Sequence, residues 1–274
     1  MYGIENFPRT MSLRRSLDAE AAMLVLGMKA ADRIPIRRLR EQIFAENERA
    51  LSPLLRKTYS RLIRSAAFND VYSEYGRLRK AIGGFVSYPR KSHEPSANLI
   101  VFFHGAGGNG AWNIATARRM FPDALIAAPT MGIRCKRHDC KQVVEWLRSV
   151  EARFAKRYPG TMIACTNVIA LSQGIIPATS LLNDTDYPVQ HFTMLSTFPA
   201  KVLTKQRANS LKVSLITGKL DERCDVSGCK RYWRKLVKHG FNARLAILKE
   251  ADHFMLLSHT RKVTRLLRSI DEYC

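Results

Sequence analysis

From Gly83 onward the chain alternates between two kinds of pattern, and this alternation limits the possible folds more than any other feature. Short apolar runs rich in β-branched residues occur at 85–88, 99–104, 124–128, 168–171, 191–196, 213–217 and 244–248. Helical patterns fall between them at 142–157, 173–182 and 227–238, and a last one covers 255–270. A repeated strand-then-helix rhythm predicts an α/β architecture, a mostly parallel twisted sheet with helices on both faces. The runs from Leu99 and from Val168 are almost continuously apolar. Strands covered on both sides read that way, so these two are expected at the centre of the sheet.

Residues 1–82 read differently. Ile36, Leu39, Ile43, Phe44 and Leu51 follow a helical period, with Arg37, Arg38 and Arg40 on the other side. Leu54, Leu55, Tyr59, Leu62 and Ile63 repeat the pattern after Pro53, a residue suited to a helix start. The expectation is a basic amphipathic helical segment at 1–82 ahead of one α/β domain at 83–274. Such helices either pack on the main domain or form an arm for a membrane surface or a partner.

No apolar run reaches the ~18–20 residues of a membrane span. The stretch 21–28 is short, and Asp18 and Glu20 separate it from Arg14 and Arg15. It reads as a core-facing helix rather than a signal peptide, which makes the cytoplasm the default compartment. The cysteines leave an oxidising compartment open. Cys135 and Cys140 share a C-x4-C spacing, and so do Cys224 and Cys229. Two local disulfides, zinc thiolates with His138 nearby, and free thiols all fit that spacing.

Charge narrows the partners less than its size suggests. Lysine and arginine number 45 against 23 acidic residues, a net +22. That field favours an acidic protein, an anionic lipid surface or a phosphate-bearing substrate. The basic residues are nevertheless spread along the chain as a solvated surface would be, and there is no specific nucleic-acid motif.

Ligands of open parallel sheets bind beyond the carboxyl ends of the strands, so the residues after each strand carry the functional reading. After the run from Val168 comes Ala170-Leu171-Ser172-Gln173-Gly174, then a helical pattern. Serine at a sharp strand–turn–helix needs small neighbours two before and two after. At a helix start it faces backbone N–H groups suited to developing negative charge. A serine that merely caps a helix is the plainer alternative. After the run from Leu99 comes His104-Gly105-Ala106-Gly107-Gly108-Asn109-Gly110. A glycine loop of this kind turns backbone N–H groups into a cavity. It also contains a G-x-G-x-x-G frame, but no acidic residue ends the next strand as dinucleotide binding requires. Asp221 follows the run 213–217, with Asp225 as rival, and His253 follows the run 244–248, with His191, His239 and His259 as rivals.

Ser172-Gln173-Gly174 resembles the G-x-S-x-G nucleophile elbow of α/β-hydrolases, with alanine in place of the first glycine. His104-Gly105 is similar to their oxyanion loop, and the order loop, Ser, Asp, His matches over about 83–274. The resemblance implies the α/β-hydrolase fold, with Ser172 as nucleophile, His253 as base and Asp221 orienting it. It implies an oxyanion hole from the N–H groups of Ala106 and Gln173. Leu195-Ser196-Thr197-Phe198-Pro199, with Ser-Gln-Gly, is similar to the carboxylesterase and acyl-protein thioesterase branch. That branch implies a small-molecule or lipid acyl ester or thioester as substrate, with no metal and no organic cofactor. An amidase or peptidase on the same residues, and a binding protein that uses its basic arm, are the competing readings. Trp112, Met131 and Phe198 are candidate apolar walls for an acyl group. The stretch between the runs ending at 196 and starting at 213 is too short for a substantial cap.

Overall fold

A computed structural model describes residues 4–5, 83–89, 95–105, 114, 117–118, 120–130, 139–221, 223–253 and 255–271. Among the described residues, eight strands form one sheet: β1 (Ile4–Glu5), β2 (Gly83–Ser87), β3 (Ser96–Phe103), β4 (Leu125–Thr130), β5 (Met162–Leu171), β6 (His191–Leu195), β7 (Lys212–Gly218) and β8 (Asn242–Leu248). Their order is β1-β2-β4-β3-β5-β6-β7-β8. β1 and β2 are antiparallel additions at one edge, and every pairing from β4 to β8 is parallel. The α/β expectation holds, with β3 and β5 central and paired to each other. Of residues 1–82 only Ile4–Glu5 are described, as strand, so the helices expected in that segment lie outside the described residues.

Among the described residues the helices with full bounds are α1 (Asp139–Arg157), α2 (Ile175–Asp184), α3 (Val226–Lys238), α4 (Met255–Ser258) and α5 (Thr260–Asp271). Parallel neighbours need a crossover, and the crossovers cover the two faces. The period of two along β3 divides its side chains between two cores. Leu99, Val101 and Phe103 join Leu147 of α1, Leu181 of α2 and Leu236 of α3. Ile100 and Phe102 face the other way, with Met255 of α4, Val263 and Leu267 of α5, and Ile114 and Phe121. Each fully buried side chain of this size contributes about 1.5–3 kcal/mol.

Several element boundaries differ from the sequence reading by two or three residues, and two departures are larger. β5 begins at Met162, six residues before its apolar run, and Met162 itself is 72% exposed. The added residues follow β3 through a register shift at Ala97/Asn98. The last helix is interrupted at His259, although the backbone ladder continues through it from Met255 to Val263. Between β6 and β7, residues 196–211 hold only the three-residue turn Lys205–Arg207.

Candidate active site

Strand β5 delivers Ser172 to the carboxyl edge of the sheet and then turns sharply. Leu171 is still extended, Ser172 has a φ of 50°, and a single 3-10 turn, Ser172–Gly174, leads into α2. A left-handed backbone is uncommon for any residue but glycine, and a serine held there marks an imposed geometry. Gly174 shows why the elbow needs its small residue. A Cβ there would lie 2.6 Å from the carbonyl oxygen of Phe103 and 2.7 Å from that of His104. The turn is thus seated against the end of β3, and Gly105 approaches Ser172 from the same side. Pro177 falls in the first turn of α2, where its missing N–H removes no helical bond.

The serine hydroxyl meets an imidazole. His253 Nε2 lies 2.9 Å from Ser172 Oγ. Its Nδ1 lies 3.0 Å from both carboxylate oxygens of Asp221. Asp221 and His253 are both buried, while Ser172 is partly exposed. An ionised carboxylate only accepts, so Asp221 places the imidazole proton on Nδ1 and leaves the Nε2 lone pair facing the hydroxyl. In that arrangement Nε2 can take the proton of Ser172 as Oγ attacks an electrophilic carbon, and Asp221 steadies the resulting imidazolium.

The carboxylate is itself held. Its Oδ1 accepts from the backbone N–H of Arg223 at 2.9 Å and of Cys224 at 2.8 Å. Its rival Asp225 does something else: it caps α3, with Oδ1 accepting from Gly228 N–H at 2.7 Å. The rival histidines are also elsewhere. His191 opens β6, His239 ends α3, and His259 separates α4 from α5. Burial, with Lys212 and Arg244 nearby, lowers the His191 pKa to about 4.

Gln173 lies in the turn after Ser172, where the oxyanion reading puts it. Ala106, Trp112 and Met131 lie outside the described residues. Phe198 is described and has two faces of contact. It stacks on Tyr232 at 5.8 Å and sits over Gly228, where a Cβ would approach its ring to 2.6 Å. It also lines an open cleft of about 450 Å³ with Ile175, Ile176, Thr179, Pro199 and Lys201. This cleft starts three residues after Ser172 along α2, and Ile176 is 49% exposed beside it.

The cysteines separate the readings that their spacing left open. Cys140 is not disulfide-bonded and is turned toward the Pro177 carbonyl of α2, so no local bridge joins it to Cys135. Cys165 is disulfide-bonded instead. Position 140 lies in the first turn of α1, with its side chain buried under α2. Cys224 and Cys229 are buried and unbridged. Among the described residues no cluster of His, Cys, Asp and Glu could hold a metal ion, and no helix is long and apolar enough to cross a membrane.

No family model and no curated protein matches this chain. Solved structures do. The chain is similar to esterase PE8 at 23% identity and a TM-score of 0.50, covering 69% of this chain and 99% of that one. It is similar to the acylaminoacyl peptidase of Pyrococcus horikoshii at 15% identity and a TM-score of 0.51, covering 70% of this chain but 39% of the peptidase. A third, MGS-M1, an alpha/beta hydrolase enzyme from a Medee basin deep-sea metagenome library, has 12% identity and a TM-score of 0.50 over 64% of this chain and 80% of that one. At such identities the likeness is one of fold.

Proposed function

On the premise that this chain has the α/β-hydrolase fold, we propose that it is a serine hydrolase cleaving carboxylic esters or acyl thioesters through an acyl-serine intermediate. The observation that carries this reading is the relay of 2.9 and 3.0 Å contacts from Ser172 through His253 to Asp221, with the serine held at a φ of 50°. Ser172 is the nucleophile, His253 the general base and then acid, and Asp221 the orienting carboxylate. The N–H groups of Gln173 and Ala106 receive the oxyanion. The open cleft along α2, with Ile176 and Phe198 on its walls, takes an apolar acyl or alcohol group. The catalytic domain of this proposal is 83–274, preceded by the basic segment 1–82. No cofactor enters any step of this reaction.

The net charge of +22 favours an acyl group presented on an acidic carrier protein or an anionic membrane surface. The likeness to an acylaminoacyl peptidase makes an acyl amide the second substrate class to assay.

The test is covalent labelling with a fluorophosphonate, with the adduct located by mass spectrometry. The expected result is one adduct on Ser172, lost in Ser172→Ala and sharply slowed in His253→Ala. A folded wild-type protein that takes no label would end the hydrolase reading. Turnover of short acyl esters, thioesters and amides then ranks the leaving groups.

A further inference from the structure

The carboxylate loop runs into α3 between two thiols that touch. Cys224 and Cys229 are buried, at 4% and 0% exposure, and their Sγ atoms lie 3.3 Å apart. A covalent bridge holds its sulfurs ~2.0 Å apart, so closure asks for a movement of only about 1 Å. Both backbones are already fixed. Cys224 N–H donates to Asp221 Oδ1, and its carbonyl accepts from Thr217 Oγ1 at 3.4 Å. Cys229 N–H donates to the Asp225 carbonyl in the first turn of α3 at 3.1 Å. A thiol is a weak donor, so the contact contributes little while it stays unbridged. The chain supports such chemistry elsewhere, since Cys165 is disulfide-bonded.

We propose that Cys224 and Cys229 form an internal disulfide when the chain folds in the presence of a disulfide oxidant, and that this bridge ties the Asp221 loop to α3. The closing step is thiol–disulfide exchange. One cysteine thiolate attacks a sulfur of the oxidant and displaces one small thiolate, leaving a mixed disulfide. The second cysteine thiolate attacks the protein sulfur of that bond and displaces the other. The two S–H protons end on the two released thiols, the cysteines give up two electrons, and the oxidant takes them. Closure belongs to folding rather than to the finished fold. The contact with Cys229, and then burial, push the Cys224 thiol up, and burial denies an oxidant its approach. The same burial shields the finished bridge from reductants. Once closed, the ring of residues 224–229 holds the N–H of Cys224 against Asp221 and carries the cap residue Asp225 within it.

The full chain is unfolded in reductant, then refolded either in a mixture of glutathione and glutathione disulfide or in reductant alone. Each sample is unfolded in an alkylating agent and digested with trypsin, which releases 224–230 as one peptide containing both cysteines. After oxidative folding the expected peptide carries no alkyl group and is two hydrogens lighter than the dithiol form; after reductive folding it is alkylated twice. Two alkyl groups or glutathione adducts after oxidative folding, or a link to another cysteine, would overturn the proposal. Thermal unfolding supplies the second readout. The difference in Tm between the two buffers should be about 4–8 °C larger for wild type than for the Cys224→Ala/Cys229→Ala protein, which shares the Cys165 bridge. Equal differences refute the clamp, and if the double variant does not fold the peptide mass decides alone. Neither readout involves turnover, so this inference stands or falls apart from the hydrolase reading.

Discussion

Gly218 and Ala251 meet so closely that a Cβ at position 218 would stand 2.1 Å from the Ala251 carbonyl oxygen. Gly218 ends β7 just before Asp221, and Ala251 precedes His253 by two residues. The same carbonyl accepts the Leu220 N–H at 2.9 Å, and the Lys219 N–H bonds to Leu248 at 2.8 Å. The carboxylate loop and the imidazole loop are thus joined at a point where only a glycine fits. Gly218→Ala must push them apart. Misplacement by ~1 Å at a reacting group costs on the order of 10²-fold. Labelling of Ser172 is expected to slow by that order, with a loss of about 1–3 kcal/mol in stability from overpacking. A folded Gly218→Ala protein that labels at the wild-type rate would refute this coupling.

Gly174 and Gly240 make a matched pair of tests, because one glycine is required by contact and the other by backbone conformation. Gly174→Ala drives a methyl into the carbonyls of Phe103 and His104 and lifts the elbow off β3. Gly240 has a φ of 85° and nothing within 4 Å of a Cβ. Gly240→Ala is therefore expected to cost about 1–2 kcal/mol from the left-handed backbone alone. Its labelling rate should stay at the wild-type level, while that of Gly174→Ala falls by at least ~10²-fold. Denaturant unfolding and labelling on the same two proteins separate the effects.

The fold was legible where the physics is local. Alternation of apolar runs located β2 to β8, most plainly at the central strands β3 and β5, because parallel strands buried on both faces are apolar along their length. The start of β5 escaped that reading because residues 162–166 lie beyond the doubly buried part, and Met162 faces solvent. Ser172, Asp221 and His253 stood out because each follows a strand, and the structure brings the three together. The close approach that requires glycine at position 218 was not legible, since it comes from a loop more than thirty residues away. The partner on which Phe198 packs was not legible, because its stacking on Tyr232 is a contact between distant segments. Cysteine spacing left three readings open at position 140, since a helix sets the direction of a side chain and spacing alone does not.

Asp221 and Asp225 are four residues apart and do different work, which substitution separates. Asp225→Ala removes a cap and leaves the Gly228 N–H without its acceptor, a loss of about 1 kcal/mol. The labelling rate of that protein should change little. Asp221→Asn keeps the shape but offers an amide donor to Nδ1, which favours the wrong imidazole tautomer. A fall in turnover on the order of 10⁴-fold is expected. If Asp225→Ala were the slower enzyme, the carboxylate would have been assigned to the wrong residue.

His191 sets a pH dependence that turnover does not report. It is 3% exposed, its Nδ1 has no hydrogen-bond partner among the described residues, and its pKa is lowered to about 4. Burial is the main cause, and Lys212 and Arg244 add to it. The unfolded chain protonates this ring near pH ~6.5, while the folded protein keeps it neutral down to about 4. Between those values the unfolded state binds more protons, so stability falls as pH falls. The loss begins near pH ~6.5 and is complete near the folded pKa, at roughly 2–3 kcal/mol for this group. Carboxylates titrate in part of the same range, so the measurement is a difference. Urea unfolding of wild type and His191→Gln is compared from about pH 7.5 to about pH 4.5. The wild type should lose the larger share of its stability toward the acid end, because glutamine has no proton to gain on unfolding. Parallel pH profiles for the two proteins would mean that the ring takes up its proton at the same pH in the folded and the unfolded chain.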